Sequence, residues 1–357
     1  MSDLFNKLLG TSPKGSLQVS LDDSIYFNEK DIIPSALPIL NIAFSGEVDG
    51  GFVSGLTILS GKSKSFKTLL GFLCMKAYQV KYPDATILFY DSEFGAPKKY
   101  LQSLELDTSR IIHIPTLHIE QLKFDLVDKL KNIKRGDKVF IFVDSLGNLA
   151  SVKEVEDAEE QKSVADMSRA KAITSLFRIV TPHFTIKDLS GVIINHVYDA
   201  QDNSHSQVVG GGQKVMLSAT SVFIITKSQI QDSNKTLIGW NYTINIEKSR
   251  YTKEKSKLSF SVLYNGGIDK YSGMLDLAVE SGFAVKTGAW YQLVNPVTGE
   301  VIEKKTYASN IEKDWFRNLI KNETFKQYVR DKYMLAGNGL LSEDTLDDLS
   351  TVDQETD

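Results

Sequence analysis

The sequence predicts an α/β fold: a mostly parallel sheet with an antiparallel extension, a short N-terminal helix and a small C-terminal α/β domain. Three observations predict it. From about Pro34, short β-branched and aromatic runs alternate with segments of helical period; after Val222, strand follows strand; and the pair Gly266-Gly267 then closes that series. Continuous apolar strands separated by helices imply a sheet covered on both faces, because each strand sends side chains both ways.

In chain order, residues 3–9 suit a short amphipathic helix with Leu4, Leu8 and Leu9 on one face, and the turn-rich stretch 10–20 reads as a linker. Strands are expected at 56–59, 86–90, 111–114, 139–143, 192–195 and 222–225. Helices are expected at 68–82, 120–133 and 161–180, where Val164, Met167, Ile173, Leu176 and Val180 recur at helical spacing. Strands at 240–247 and 257–264 form the antiparallel extension. The expected division is an N-terminal helix and linker at 1–33, a core at 34–270, a small domain at 271–335 and an acidic tail at 336–357.

Bulk properties narrow the function classes. With 357 residues, 42% hydrophobic and 24% charged, the chain supports one large core with smaller additions. Cys74 is the single cysteine, which rules out an internal disulfide and fits a reducing, intracellular setting. No apolar run approaches the roughly 18 residues of a membrane span, and residues 1–10 carry no export signal pattern. The net charge of −4 argues at first against a polyanionic partner. Seven of the acids lie in 341–357, however, and setting them aside turns −4 into +3 for the first 340 residues. Such a tail solubilises, or competes with DNA phosphates for basic sites.

The strand at 56–59 leads into Gly61-Lys62-Ser63-Lys64-Ser65-Phe66-Lys67-Thr68 and then into a helix. That strand–loop–helix setting is what a Walker A phosphate loop requires. Loop N–H groups and the helix N-terminus face phosphate oxygens, Lys67 meets the terminal phosphates, and the Thr68 hydroxyl ligates Mg²⁺. Phe66 stands where the generic pattern has glycine, so its side chain must turn away from the nucleotide. Val139-Phe140-Ile141-Phe142-Val143-Asp144 is an apolar strand ending in an acid, the Walker B arrangement, with Asp144 holding Mg²⁺ through water. The strand at 86–90 delivers Asp91-Ser92-Glu93. A carboxylate there either orients an attacking water or is an ordinary strand-end acid.

At these motifs the sequence resembles the RecA family, and within it the UvsX-type recombinases of tailed bacteriophages. The resemblance runs from about Phe27 to about Met334. It is carried by Phe27-Asn28-Glu29-Lys30-Asp31, the loop Ser63-Lys64-Ser65-Phe66-Lys67, Leu88-Phe89-Tyr90-Asp91-Ser92-Glu93-Phe94-Gly95 and Asp144-Ser145-Leu146-Gly147-Asn148-Leu149-Ala150-Ser151. Further on, Ser175-Leu176-Phe177-Arg178-Ile179-Val180-Thr181-Pro182, Glu247-Lys248-Ser249-Arg250 and Gly288-Ala289-Trp290-Tyr291 add to it. Phe66 looks like the UvsX variant of the loop. The resemblance implies a RecA-like P-loop ATPase core using ATP and Mg²⁺. It also implies a helical filament on single-stranded DNA, pairing with homologous duplex DNA, single-strand-binding and mediator partners, and a bacterial host cytoplasm.

It further implies roles by position. Glu93 matches the glutamate that activates water, and Tyr100 the aromatic that stacks on adenine. Lys248 and Arg250 match a basic pair reaching the γ-phosphate from the neighbouring protomer; by residue type alone they belong to a solvated strand face with Lys253, Lys255 and Lys257. His196 matches a polar sensor between the nucleotide and a DNA loop. Gly61, Ser63, Lys64, Ser65, Phe66, Lys67 and Thr68 complete the nucleotide set. Two long polar segments, 152–161 and 198–213, are expected as loops and match the family's DNA-contacting loops. The first leads into a helix bearing Lys162, Arg169 and Lys171; the second carries Gly210, Gly211 and Gly212, with Lys214 just after. Glycines there let main-chain N–H groups approach phosphates. Two other readings stay open here: a RecA-fold helicase or translocase, and a non-hydrolysing DNA-coating mediator.

Overall fold

The computed structural model of the protein describes residues 2–11, 13, 16–26, 30–161, 167–199 and 207–335. The acidic tail, residues 162–166 of the third expected helix and residues 200–206 of the second expected loop lie outside them. The elements begin with the helices α1 (Asp3–Leu9) and α2 (Pro38–Ser45), then β1 (Gly55–Gly61), α3 (Lys67–Lys81), β2 (Thr86–Asp91), α4 (Lys98–Ser103) and β3 (Ile111–Pro115). There follow α5 (Ile119–Asn132), β4 (Val139–Asp144), α6 (Val152–Glu159), α7 (Ser168–Ile186), β5 (Ser190–Asn195), β6 (Val197–Asp199), β7 (Gln207–Val209) and α8 (Gln213–Ser218). The chain continues through β8 (Ser221–Gln231), β9 (Leu237–Lys248), β10 (Lys257–Leu263), β11 (Gly267–Ile268) and α9 (Met274–Glu280). It ends in β12 (Ala284–Thr287), β13 (Trp290–Leu293), β14 (Thr306–Tyr307), α10 (Lys313–Leu319) and α11 (Glu323–Tyr333).

Nine strands form the main sheet in the order β11-β10-β9-β8-β1-β5-β4-β2-β3. From β8 to β3 every pairing is parallel, and β9, β10 and β11 add antiparallel to the β8 side. Alternate residues of each central strand feed opposite cores. Ile87, Phe89, Phe140 and Phe142 join the side covered by α2 and α3; Leu88, Tyr90, Ile141 and Val143 join the side covered by α5 and α7. This is why the strands read as unbroken apolar runs. The three-stranded sheet β12-β13-β14 and helices α9 to α11 bury Leu277, Leu293, Trp315 and Phe325 in the first of these cores.

The parallel order puts the C-terminal ends of β1, β2 and β4 on one edge, where open α/β sheets bind ligands. Helix α1 forms as expected, and the Leu4 and Leu8 side chains on it remain 64% and 59% exposed.

Three expectations are corrected. Residues 152–161 are mostly helix α6, not loop: Ser151 caps it and Glu154 returns the bond, a capping box legible as Ser-x-x-Glu. The helix expected at 161–180 begins at Ser168 and continues to Ile186 through Pro182. Proline there removes the bond to the carbonyl four residues earlier and crowds that carbonyl, while the burial of Phe177, Val180 and Phe184 holds the helix in place. The segment 198–213 is not a plain loop, since β6 and β7 pair antiparallel and α8 begins at Gln213.

Candidate functional site

At the C-terminal edge of the sheet, a cavity of about 410 Å³ is lined by Ser63, Lys64, Ser65, Phe66, Lys67, Thr68, Glu93, Tyr100, Asp144, His196 and Tyr242. The loop from β1 to α3 curls around its floor. Two of its non-glycine residues, Lys64 (φ 58) and Phe66 (φ 69), take the left-handed region. A left-handed side-chain residue costs about 1–2 kcal/mol. Phe66 offsets much of that by stacking on Tyr242, with centroids 4.8 Å apart and planes at 29°, because such pairs contribute about 0.5–1.5 kcal/mol. Lys227 supports the loop from β8, donating to the Lys64 carbonyl at 2.9 Å while lying over the Trp240 ring.

Lys67 is buried, and its ammonium folds back on the loop, donating to the Gly61 carbonyl (3.0 Å), the Lys62 carbonyl (2.9 Å) and Ser65 Oγ (3.2 Å). Burial lowers its pKa, and the charges of Glu93 and Asp144 oppose that shift. Thr68 Oγ1 donates to Asp144 Oδ2 at 2.8 Å. Asp144 Oδ1 is buried with no hydrogen-bond partner among the described residues. Burial pushes the Asp144 pKa up to about 7; the Thr68 bond opposes this, and Glu93 and Asp91 add to it. An orphaned buried carboxylate oxygen beside a threonine hydroxyl fits a hard divalent cation. Among the described residues no cluster of three or more His, Cys, Asp or Glu side chains forms a metal site. Such a cation would therefore take its other ligands from phosphate and water.

Glu93 enters from the β2 side, its Oε1 accepting from Ser145 Oγ at 2.9 Å and lying 3.6 Å from His196 Nε2. His196 Nε2 is also 3.2 Å from Asn148 Oδ1. Burial lowers the His196 pKa, Lys67 lowers it further, and Glu93 opposes both. Its backbone faces the other way: the His196 carbonyl accepts from Gly210 N–H at 2.9 Å, and Asn195 Nδ2 donates to the Gly210 carbonyl at 2.7 Å. Tyr100 sits on α4 at the cavity wall, its ring edge-on to Phe72.

The remaining candidates lie apart. Lys248 Nζ donates to the carbonyls of Met216, Leu217 and Ala219 at 2.9, 3.0 and 2.8 Å. Neither it nor Arg250 lines the cavity. Arg169 is held on its own chain, Nε donating to the Leu149 carbonyl and Nη2 to those of Leu146 and Gly147. Lys171 and Lys214 are exposed. Gly211 (φ 83) and Gly212 (φ 77) need glycine for the left-handed turn into α8. At Gly210 a Cβ would come within 2.9 Å of the Tyr198 ring.

Sequence reasoning missed Tyr242, Ser145 and Asn148. The unusual Phe66 was the signal for the first, since a left-handed aromatic needs a partner. Nothing in residue spacing pointed to the other two.

The C-terminal part matches the family model described as "Bacteriophage T4, Recombination and repair protein, C-terminal domain" over residues 271–329. The chain is 47% identical over 342 residues to the "Recombination and repair protein" of Enterobacteria phage T4, covering 94% of this chain and 87% of that protein. It is 24% identical over 288 residues to "Protein RecA" of Streptomyces rimosus, covering 80% and 73%. To "Protein RecA" of Malacoplasma penetrans it is 22% identical over 245 residues, covering 68% and 72%.

Proposed function

Since the chain belongs to the family of the phage T4 recombination and repair protein, a relative of RecA, we propose that it is a recombinase whose DNA-dependent ATP hydrolysis controls a filament on single-stranded DNA. The observation that carries this reading is the meeting, in one cavity, of Lys67, the Thr68–Asp144 pair and Glu93. Loop N–H groups from Ser63 to Thr68 cradle the phosphates, and Lys67 leaves its loop carbonyls to meet their negative charge. Tyr100 packs against the base. Thr68 and Asp144 hold Mg²⁺, which when bound supplies neutralising charge to the phosphate oxygens. Glu93 accepts the proton of the attacking water.

Lys248 and Arg250 act on the phosphate of an adjoining copy, so turnover requires assembly. The exposed apolar face of α1 packs on that neighbour. His196 passes the state of the terminal phosphate to Gly210 through its own carbonyl. The segment around Gly210, Gly211, Gly212 and Lys214, together with Lys171, meets the DNA backbone. Arg169 acts there by fixing the 146–149 turn. The bound strand then pairs with a homologous duplex, base pairing supplies the selection, and single-strand-binding and mediator proteins of the host-cell cytoplasm regulate loading. Among the described residues no helix is long and apolar enough to cross a membrane.

The test is strand exchange between a circular single strand and linear duplexes, homologous or unrelated. Joint molecules should form with ATP and homology together. Joint molecules without homology, or unwinding of duplex ahead of a tail, would replace this reading with a coating protein or a helicase.

A further inference from the structure

Glu93 leaves the backbone just past the end of β2 and faces the phosphate loop across the cavity. Two buried groups fix it. Asp91, 4% exposed, accepts the Glu93 N–H at 3.0 Å and the Phe94 N–H at 2.8 Å on one oxygen, closing the turn. Its other oxygen lies 3.1 Å from His113 Nε2. At the far end, the fully buried Ser145 donates its hydroxyl to Glu93 Oε1 at 2.9 Å. Ser145 is itself locked to the neighbouring strand: its N–H donates to Ser92 Oγ at 2.9 Å, and its carbonyl accepts from Ser92 Oγ at 2.8 Å. Ser92 N–H in turn donates to the Asp144 carbonyl at 2.8 Å.

We propose that Ser145 is the positioning residue for Glu93, working against the turn that Asp91 closes, and that its hydroxyl leaves one carboxylate oxygen free for water. The inference rests on the reading of Glu93 as the base. A serine hydroxyl has a single proton to give. Given to Oε1, it fixes the rotamer of the carboxylate, and Oε2 is left to accept. In the step so aimed, the water oxygen bonds to the terminal phosphorus as its proton passes to Oε2. The phosphorus–oxygen bond to ADP breaks, and its electron pair leaves on ADP. Without the hydroxyl, Glu93 Oε1 keeps, among the described residues, the contact with His196 Nε2 at 3.6 Å, which lets the carboxylate swing toward the imidazole.

The full-length protein is compared as wild type, Ser145→Ala, Glu93→Gln and the double variant. Single-turnover hydrolysis is followed on single-stranded DNA, and equilibrium binding of a fluorescent ADP is measured without turnover. Ser145→Ala should slow the wild-type rate about tenfold, the scale of one lost hydrogen bond to a charged group, and leave ADP affinity within about twofold. In the Glu93→Gln background it should change the residual rate little, because its target is already gone. Ser145→Cys, of similar size with a weak donor, should fall between. Equal slowing in both backgrounds, or ADP affinity falling in step with rate, overturns the proposal. Normal turnover by Glu93→Gln alone removes Glu93 as the base, whereas slow Glu93→Gln with normal Ser145→Ala removes only Ser145.

Discussion

The most demanding consequence of the site concerns a glycine. A Cβ at Gly147 would stand 2.0 Å from His196 Cδ2, 2.9 Å from Cγ and 3.1 Å from Nε2. Gly147 is not among the residues with positive φ, so alanine fits its backbone, and the three atoms nearest to that Cβ all belong to the imidazole. The turn cannot easily retreat, because Arg169 Nη2 grips the Gly147 carbonyl at 2.9 Å. Carbon atoms settle at about 3.5–4.0 Å, so in Gly147→Ala the ring must move by roughly 1.5 Å. That breaks its 3.2 Å contact with Asn148 and its approach to Glu93. Overpacking of this kind costs about 1–3 kcal/mol. The carbonyl of His196 still holds Gly210, but under the proposed sensor role the displaced ring would lose its view of the phosphate. Coupling between two sites is commonly worth about 5–150-fold in affinity, and Gly147→Ala should remove most of the gap between ATP-analogue and ADP in binding of a labelled single strand. His196→Ala should do the same, and because it removes the obstructing ring, the double variant should be no worse than His196→Ala in either DNA binding or thermal unfolding. Additive losses in the double variant would refute both the clash and the relay.

Three further outcomes follow from the site and from the residues around it. Cation binding requires ionised Asp144, whose pKa is raised to about 7 by burial, so Mg²⁺-dependent nucleotide affinity should rise about tenfold from pH 6 to pH 8; Asp144→Asn should lose that dependence. The sign for the ligand-free fold is opposite: a carboxyl raised in the folded state costs stability as pH climbs from about 4 toward 7, so unfolding of wild type and Asp144→Asn should converge at low pH. For the trans site, Lys67→Ala and Lys248→Met should each be inactive alone, yet an equal mixture should recover about a quarter of wild-type turnover, from interfaces pairing an intact loop with an intact Lys248. No recovery on mixing would place Lys248 outside the neighbour's site.

Much of the fold was legible because its determinants are local. The runs ending at Asp91 and Asp144 are almost wholly apolar, and the one ending at Gly61 carries only Thr57 and Ser60 among buried apolar residues, as strands buried on both faces do. Lys67 and Thr68 were legible from the fixed spacing of a phosphate loop, and Asp144 from its place at the end of an apolar strand. Helix α6 was missed because its acidic composition outweighed a capping box already present in Ser151 and Glu154. The stack of Phe66 on Tyr242, the bond from Ser145 to Glu93 and the hold of Lys248 on the end of α8 join residues far apart in the chain. Such contacts are decided by packing, and no local period encodes them.

The position of Lys248 bears on how assembly and DNA binding are joined. Lys248 pairs with Val222 at the start of β8, whereas Gly61 pairs with Ile225 further along the same strand toward the cavity. Its ammonium points to the closing carbonyls of α8, whose own first residue follows Gly212. A cation at a helix C-terminus satisfies orphan carbonyls and the helix dipole together. Burial lowers the Lys248 pKa, the charge of Arg250 lowers it further, and Glu254 opposes both. If Lys248 serves a neighbour's phosphate as proposed, it must loosen this grip or share it. The glycine turn at 210–212 is then reached from both ends: by His196 from the nucleotide of its own subunit, and by α8 from the nucleotide of the next. A subunit carrying either signal alone would hold DNA less well than one carrying both, and a filament would respond to nucleotide more steeply than its single sites do.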